Sequence, residues 1–421
     1  METMSKSLYF ARQPILDINS KTYAYELLYR SSTDKVSASV VDDHTATAQV
    51  LVNTLNFTNL EHIVGDALAF INIDEEMLMD EMLLSIPKEK FVLELLENIV
   101  ISDEIIRRIK SLKQHGYRFA LDDADCTKEY FINFQPIFEY IDILKLDIRV
   151  LNEEQVSKFL PLFKKFDLTL LAEKVETQEE FDTYKRLGCE LFQGFFFAKP
   201  DIIENKELDP KQLSILQLIR KLQDNAPVND ICQAFEQNAA LTIQLLRFIN
   251  SASFSFKASI KSIRQAVMLL GPSQLKSWLL LTSYASSKSP KGIENPLLHL
   301  AQTRSNMMKV LYQEVYKDSC SKDNLERAAF VGLLSLIEAL LNVPMEDVLN
   351  ELNVDDEIIN TLMTKDGTMG DIFKLVCAVE QFDTQKIEVL LDTLSLSGKQ
   401  LSESIQTSYE ITENFSHTFQ K

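Results

Sequence analysis

Residues 119–125 read Phe-Ala-Leu-Asp-Asp-Ala-Asp, a short apolar run that stops in the adjacent carboxylates Asp122 and Asp123. Neighbouring acids repel, so a pair at the end of a buried strand calls for a compensating charge. A hard divalent cation, which takes oxygen ligands, is the usual one. Aspartate is also a turn residue, and taken alone the pair reads better as a turn. Five other apolar runs in the first half of the chain shift that balance, because each delivers a polar group of its own. Residues 21–30 carry Glu26 and Arg30. Residues 67–72 end in Asn72, and 90–94 end in Glu94 with Glu97 three positions on. Residues 140–147 hold Lys145 among Ile143, Leu144 and Leu146, and 168–173 end in Glu173. A short seventh run, Leu191-Phe192, closes on Gln193.

Oxygen-rich, sulfur-free coordination suits Mg²⁺ or Mn²⁺. Two such ions held by shared carboxylates suit in-line attack of water on a phosphodiester. Glutamate and asparagine would anchor the ions and the aspartate pair would bridge or flank them. A lysine in an apolar frame must snorkel or find an anion, so Lys145 would orient the water or offset developing charge. Arg30 offers a forked donor to a phosphate.

Helices must hold these exits in place. Ile105, Ile109 and Leu112 recur at helical spacing before Gly116, Val156, Leu160 and Phe163 repeat that spacing around Pro161, and Phe181, Tyr184 and Leu187 do so before Gly188. Alternating strands and helices imply parallel βα units. Roughly seven units in about 200 residues favour a closed, TIM-like (β/α) barrel, whose C-terminal strand ends converge on one mouth.

The whole chain has 421 residues, which suggests two or three domains. Its net charge of −19, from 62 acids against 43 basic residues, argues against non-specific nucleic-acid binding. The five cysteines are scattered, without the spacing of a zinc site or a disulfide framework. The polar start is unlike a signal-peptide core, and the longest apolar stretch, residues 328–343, is broken by Glu338 and too short to span a bilayer. A cytoplasmic protein with no membrane or nucleic-acid partner is expected.

In their order along the chain these residues resemble the EAL family, phosphodiesterases that linearise cyclic di-GMP. Gln13-Pro14-Ile15 is similar to the family's opening QPI. Glu26-Leu27-Leu28 followed by Arg30 is similar to the motif that names it, with Leu27 where Ala or Val is usual. Asn72 matches the metal-binding asparagine, Glu94 and Glu97 the ExxE, Asp122-Asp123 the DD, and Lys145 the catalytic lysine before LD. Glu173 and Glu176 match the acids of EGVE, and Gln193-Gly194 with Pro200 resembles QGxxxxxP. The resemblance spans about residues 8–200. It implies Glu26, Asn72, Glu94, Asp122 and Asp123 as metal ligands, Lys145, Glu173 and Glu97 as catalytic residues, and Gln13, Leu28, Arg30 and Gln193 as substrate contacts. Two Mg²⁺ or Mn²⁺ ions, cyclic di-GMP as substrate, linear pGpG as product and a homodimer belong to the same implication. Two departures stand out. Residues 124–130 replace a glycine-containing loop that in the family couples metal binding to dimerisation, and without glycine they are not expected to reach positive φ easily. Lys174 stands where EGVE has its glycine. Three readings therefore stay open: hydrolysis, weak or absent turnover with the barrel as a cyclic di-GMP receptor, and a scaffold.

Beyond residue 204 strand patterns give way to helical ones. Asp209-Pro210 makes a good cap and first turn. Leu216, Ile219 and Leu222 form one face, Leu241, Leu245 and Phe248 another, and Gly271-Pro272 is a stop. An all-helical domain is expected over 205–400, after a barrel over 1–204 and before a polar tail, 401–421, that frays. Asn250-Ser251-Ala252, residues 262–266 and Leu269-Leu270-Gly271 resemble the HDOD family, a non-catalytic relative of the HD phosphohydrolases. Gly332-Leu333-Leu334-Ser335 occupies the place of the His-Asp pair, and His299 alone cannot build that metal site. The resemblance implies an interaction module for an unidentified protein partner.

Overall fold

The computed structural model describes residues 8–31, 60–199, 210–250, 260, 262–286 and 295–419. The chain falls into two compact units, one of Met1–Lys199 with Ser397–Ile405 and one of Pro200–Leu396 with Gln406–Lys421.

Eight strands close the first unit into a barrel in chain order: β1 (Leu8–Asp17), β2 (Thr22–Ser31), β3 (Leu68–Ile73), β4 (Phe91–Leu95), β5 (Arg118–Leu121), β6 (Ile143–Asp147), β7 (Thr169–Glu173) and β8 (Leu191–Gln193). From β2 to β8 neighbours run parallel. β1 corrects the expectation of parallel βα units throughout, since it runs antiparallel to both β2 and β8. The cause is local. Asp17 Oδ1 accepts the backbone N–H groups of Asn19 and Lys21, and Ser20 takes a φ of 58°. That tight turn can make only a hairpin, because a parallel return needs a crossover of a dozen or more residues.

Helices lie where the spacing placed them, at Asp103–Gln114, Glu153–Phe163 and Gln178–Leu187, and a further one, Lys128–Phe134, follows β5 unmarked by it. Asp103–Gln114 is capped by Ser102, Lys128–Phe134 by Thr127, and Gln178–Leu187 by the capping box of Thr177 and Glu180. Glu153–Phe163 runs unbroken through Pro161, which costs it one ladder bond.

One residue from each strand fills the barrel's floor: Ile15, Ala24, Phe70, Val92, Ala120, Ile143, Leu171 and Leu191. Side chains alternate between the two faces of a strand. The next inward residue towards the mouth is therefore two positions on in β2 to β8, and two positions back in the antiparallel β1. Counting gives Glu26, Asn72, Glu94, Asp122, Lys145, Glu173 and Gln193, with Gln13 from β1. An apolar layer thus sits directly beneath a complete polar one.

The second unit is helical, from Pro210–Gln223 onwards. Its helix Ile263–Ser286 breaks at Gly271, φ 73°, ahead of Pro272, as the Gly-Pro pair predicts. Gly332 lets two helices meet closely, since a Cβ there would stand 2.5 Å from the Ser305 backbone nitrogen. Beside it, Arg304 is forked onto Glu380 at 2.8 Å and donates to Ser335 Oγ at 3.0 Å. A satisfied ion pair thus lies close to Ser335, at the end of the stretch where a phosphohydrolase would keep its His-Asp pair. His299 bonds Glu413 at 2.9 Å, a tertiary contact. The expected polar tail is corrected too. Gly398–Phe419 is a helix, and Leu401, Ile405 and Tyr409 form a buried stripe at i, i+4, i+8 that a composition count hides. No described helix is long and apolar enough to cross a membrane.

Candidate active site

Lys145 is the hub of the polar layer. It is 1% exposed, and its Nζ lies 2.8 Å from Glu173 Oε1, 3.0 Å from Asp122 Oδ1 and 3.7 Å from Glu26 Oε2, and is ion-paired with Glu94 Oε1. The strand register brings these groups together. Glu26 pairs with Gln13, Asn72 with Glu94, and Glu173 with Asp147. Gln193 Nε2 donates to Glu26 Oε2 at 2.6 Å and to Gln13 Oε1 at 3.0 Å. Gly194 fixes the end of β8, at φ 144°, where a Cβ would collide with Val175 backbone atoms at 2.0 Å.

One ammonium faces four carboxylates, and the floor below is apolar. Burial, then Glu26, hold the Glu94 carboxyl well above its usual range, against the pull of Lys145. Burial likewise raises Glu173 to about 7. Burial opposes charge on Lys145, but Glu173, Glu26, Glu94 and Asp122 together more than offset it, so its pKa is raised. Asp123, next to Asp122, is also raised, by burial first and Asp122 second. These are the marks of a site short of positive charge.

The unpaired oxygens point the same way. Asn72 Oδ1, Glu94 Oε2 and Gln193 Oε1 are buried with no hydrogen-bond partner among the described residues. A buried acceptor without a donor is costly. The donor set is all oxygen, which fits a hard divalent cation. At the rim, Glu97, Asp122 and Asp123 bring carboxylate oxygens within 4.8 Å of one another, and among the described residues no other group of acids, histidines or cysteines does so.

The remaining predicted residues divide. Glu97 and Asp123 are exposed at the rim, and Leu28 is half-buried two positions past Glu26 on β2. Arg30 is on β2 with a side chain outside the described residues, and Pro200 is also outside them. Glu176 leaves the site altogether: it is paired with Lys199 at 2.6 Å and Arg149 at 3.7 Å on the surface. Asp147 was overlooked as a site residue. It is 7% exposed, two positions beyond Lys145 on the same inward face, and the alternation in Leu144-Lys145-Leu146-Asp147 was the signal that could have found it. The glycine-free loop also departs from expectation. Asp123 and Cys126 adopt φ of 42° and 50°. Aspartate tolerates that region, and Cys126 is held there by burial at 3% exposure.

Comparison with known proteins bears on both units. The model of the EAL domain matches residues 2–200 and that of the HDOD domain residues 210–362. The cyclic di-GMP phosphodiesterase CdgJ of Vibrio cholerae is 30% identical over 385 residues, covering 90% of this chain and 86% of its own. YuxH of Bacillus subtilis, an uncharacterized protein, is 30% identical over 402 residues, 94% of each chain. Among solved structures, Klebsiella pneumoniae BlrP1 as a calcium/cyclic di-GMP complex aligns with 46% of this chain and 56% of its own at 22% identity, with a TM-score of 0.38.

Proposed function

The chain belongs to the proteins that join an EAL domain to an HDOD domain, and on that premise we propose that its barrel hydrolyses cyclic di-GMP to linear pGpG. The observation that carries this reading is the set of four carboxylates gathered on Lys145 beside buried oxygens that lack a donor. EAL phosphodiesterases are metal-dependent. Glu26, Asn72, Glu94 and Asp122 are suited to hold one Mg²⁺ or Mn²⁺, and Asp122, Asp123 and Glu97 a second. Bound there, divalent cations supply Lewis acidity to the phosphodiester and make water a better nucleophile at neutral pH.

The chain's own groups do the rest. Glu173, 2.8 Å from Lys145 in the same polar layer, is placed to accept a proton from the attacking water. Lys145 keeps its charge and steadies the negative charge that grows on the phosphate oxygens. Gln13, Gln193 and Leu28 line the approach to the nucleotide, and Arg30 is kept as a substrate contact on its match to the family motif alone. The case for a receptor without turnover rested on the glycine-free loop, and that loop reaches positive φ at Cys126 all the same. We divide the chain into a barrel over 1–204 and a helical interaction domain over 205–400, acting in the cytoplasm on a protein partner, with a homodimer as the assembly.

Purified protein incubated with cyclic di-GMP and Mg²⁺ or Mn²⁺ is expected to release linear pGpG, resolved by chromatography, and to stop on chelation. Tight binding of cyclic di-GMP with no product in either metal would replace the reading with that of a receptor.

A further inference from the structure

The outer edge of the mouth carries a second cation that the chemistry above does not use. Asp147 lies two residues beyond Lys145 on β6 and pairs in register with Glu173. Its Oδ1 accepts the Arg149 backbone N–H at 2.8 Å, and its Oδ2 is ion-paired with Lys174. Lys174 takes a φ of 59°, in the left-handed region that disfavours a residue with a long side chain. A surface lysine is normally free to swing into water. This one leaves β7 by a strained turn and is tied back to a buried carboxylate, with its side chain 56% exposed. Asp147 is the direct partner, and Asp123 and Glu173 add to the negative field on the ammonium. Asp123 feels Lys174 in return.

Lys145 and Lys174 therefore serve different parts of the mouth. Lys145 contacts the inner carboxylates Glu26, Glu94, Asp122 and Glu173. Lys174 contacts Asp147, and both act electrostatically on Asp123, one of the three rim acids Glu97, Asp122 and Asp123. Resting on the metal-dependent reading of this site, we propose that Lys174 is a tethered cation that competes with the outer of two divalent ions, so that the inner position is the tighter and the outer one is weakened. A fixed positive charge lowers the negative potential that draws a divalent ion to the rim. The inner ligands have their own lysine.

The test is Mn²⁺ binding to the full chain, followed by calorimetry and by the spin-resonance signal of free Mn²⁺. The natural protein is expected to show one tighter and one weaker ion. Lys174→Met, which removes the charge and keeps the length, is expected to tighten the weaker ion roughly tenfold and to leave the tighter one within about twofold. Lys174→Gly removes the same charge while freeing the left-handed position, and gives the same shift if the methionine variant folds poorly. Lys174→Arg keeps the charge and behaves as the natural protein. The gain shrinks as salt rises, because the ammonium is half exposed. A weaker ion unmoved or loosened in both charge-removing variants overturns the proposal and leaves the site reading intact. Absence of Mn²⁺ binding in the natural protein overturns that reading and the proposal with it.

Discussion

Lys145→Met is expected to lower turnover of cyclic di-GMP by roughly 10²–10⁴-fold and to destabilise the metal-free protein by about 3–5 kcal/mol. Both effects come from the same geometry. The ammonium touches Glu94, Asp122 and Glu173 and stands 3.7 Å from Glu26. Methionine fills much of the same space, so the apolar floor of Ile143 and its neighbours should stay packed. What is lost is the one positive charge among four carboxylates. Excess Mg²⁺ or Mn²⁺ is expected to restore most of the melting temperature and little of the turnover, because a cation can neutralise the ligands without supplying the lysine's contact to the reacting phosphate. Calorimetric unfolding in chelator and in metal, beside a product assay, checks both halves. A variant as stable as the natural protein in chelator, with turnover within about tenfold, would mean that Lys145 is a passive filler.

Glu94→Gln is expected to move two quantities in opposite directions. Metal affinity should fall at least 100-fold, the upper end of the loss seen when merely supporting residues of metal sites are changed. Stability of the metal-free protein should instead rise above neutral pH. The sign follows from protons bound. Burial and Glu26 raise the folded-state pKa of Glu94, and burial raises Glu173 to about 7, above the ordinary 4.5. Between those values the folded state holds more protons than the unfolded chain, so unfolding free energy falls as pH rises. The natural protein in chelator should melt at a higher temperature near pH 5.5 than near pH 8, and saturating metal should remove that trend. Glutamine mimics the protonated acid. The variant should therefore match the natural protein near pH 5.5, exceed it near pH 8, and show a shallower pH slope. Equal destabilisation at both values would mean that Glu94 matters for packing or for Lys145, not for excess charge.

The site was legible because a barrel converts strand exits into neighbours. Glu26, Asn72, Glu94, Asp122, Lys145, Glu173 and Gln193 each stand two positions past a floor residue, and period-two alternation is visible in a string of letters. β1 was harder. Arg12, Gln13 and Pro14 interrupt its apolar pattern, and its direction depends on an aspartate turn whose geometry no periodicity encodes. Asp147 was hard to read because it ends β6, where an acid is also an ordinary turn residue. Glu176 was given no role in the site, and its position agrees with that. It shares a motif with Glu173, but past the end of β7 the chain turns at Lys174, φ 59°, and the alternation that aims side chains inward no longer applies. The positive φ of Asp123 and Cys126 was unreadable because a buried neighbourhood, not a glycine, holds the chain there. The final helix, Gly398–Phe419, was hidden by its serine and threonine content, although Ser404, Ser408 and Thr412 are themselves buried.

The central claim is that side chains from separate strands meet at one mouth and together hold divalent cations. The most direct measurement is anomalous X-ray scattering from crystals of the full chain soaked in Mn²⁺. A peak is expected among Glu26, Asn72, Glu94 and Asp122, with Asn72 Oδ1 and Glu94 Oε2 at a coordination distance of about 2.1 Å. Well-ordered side chains with no anomalous peak among them, at Mn²⁺ concentrations that support turnover, would contradict it.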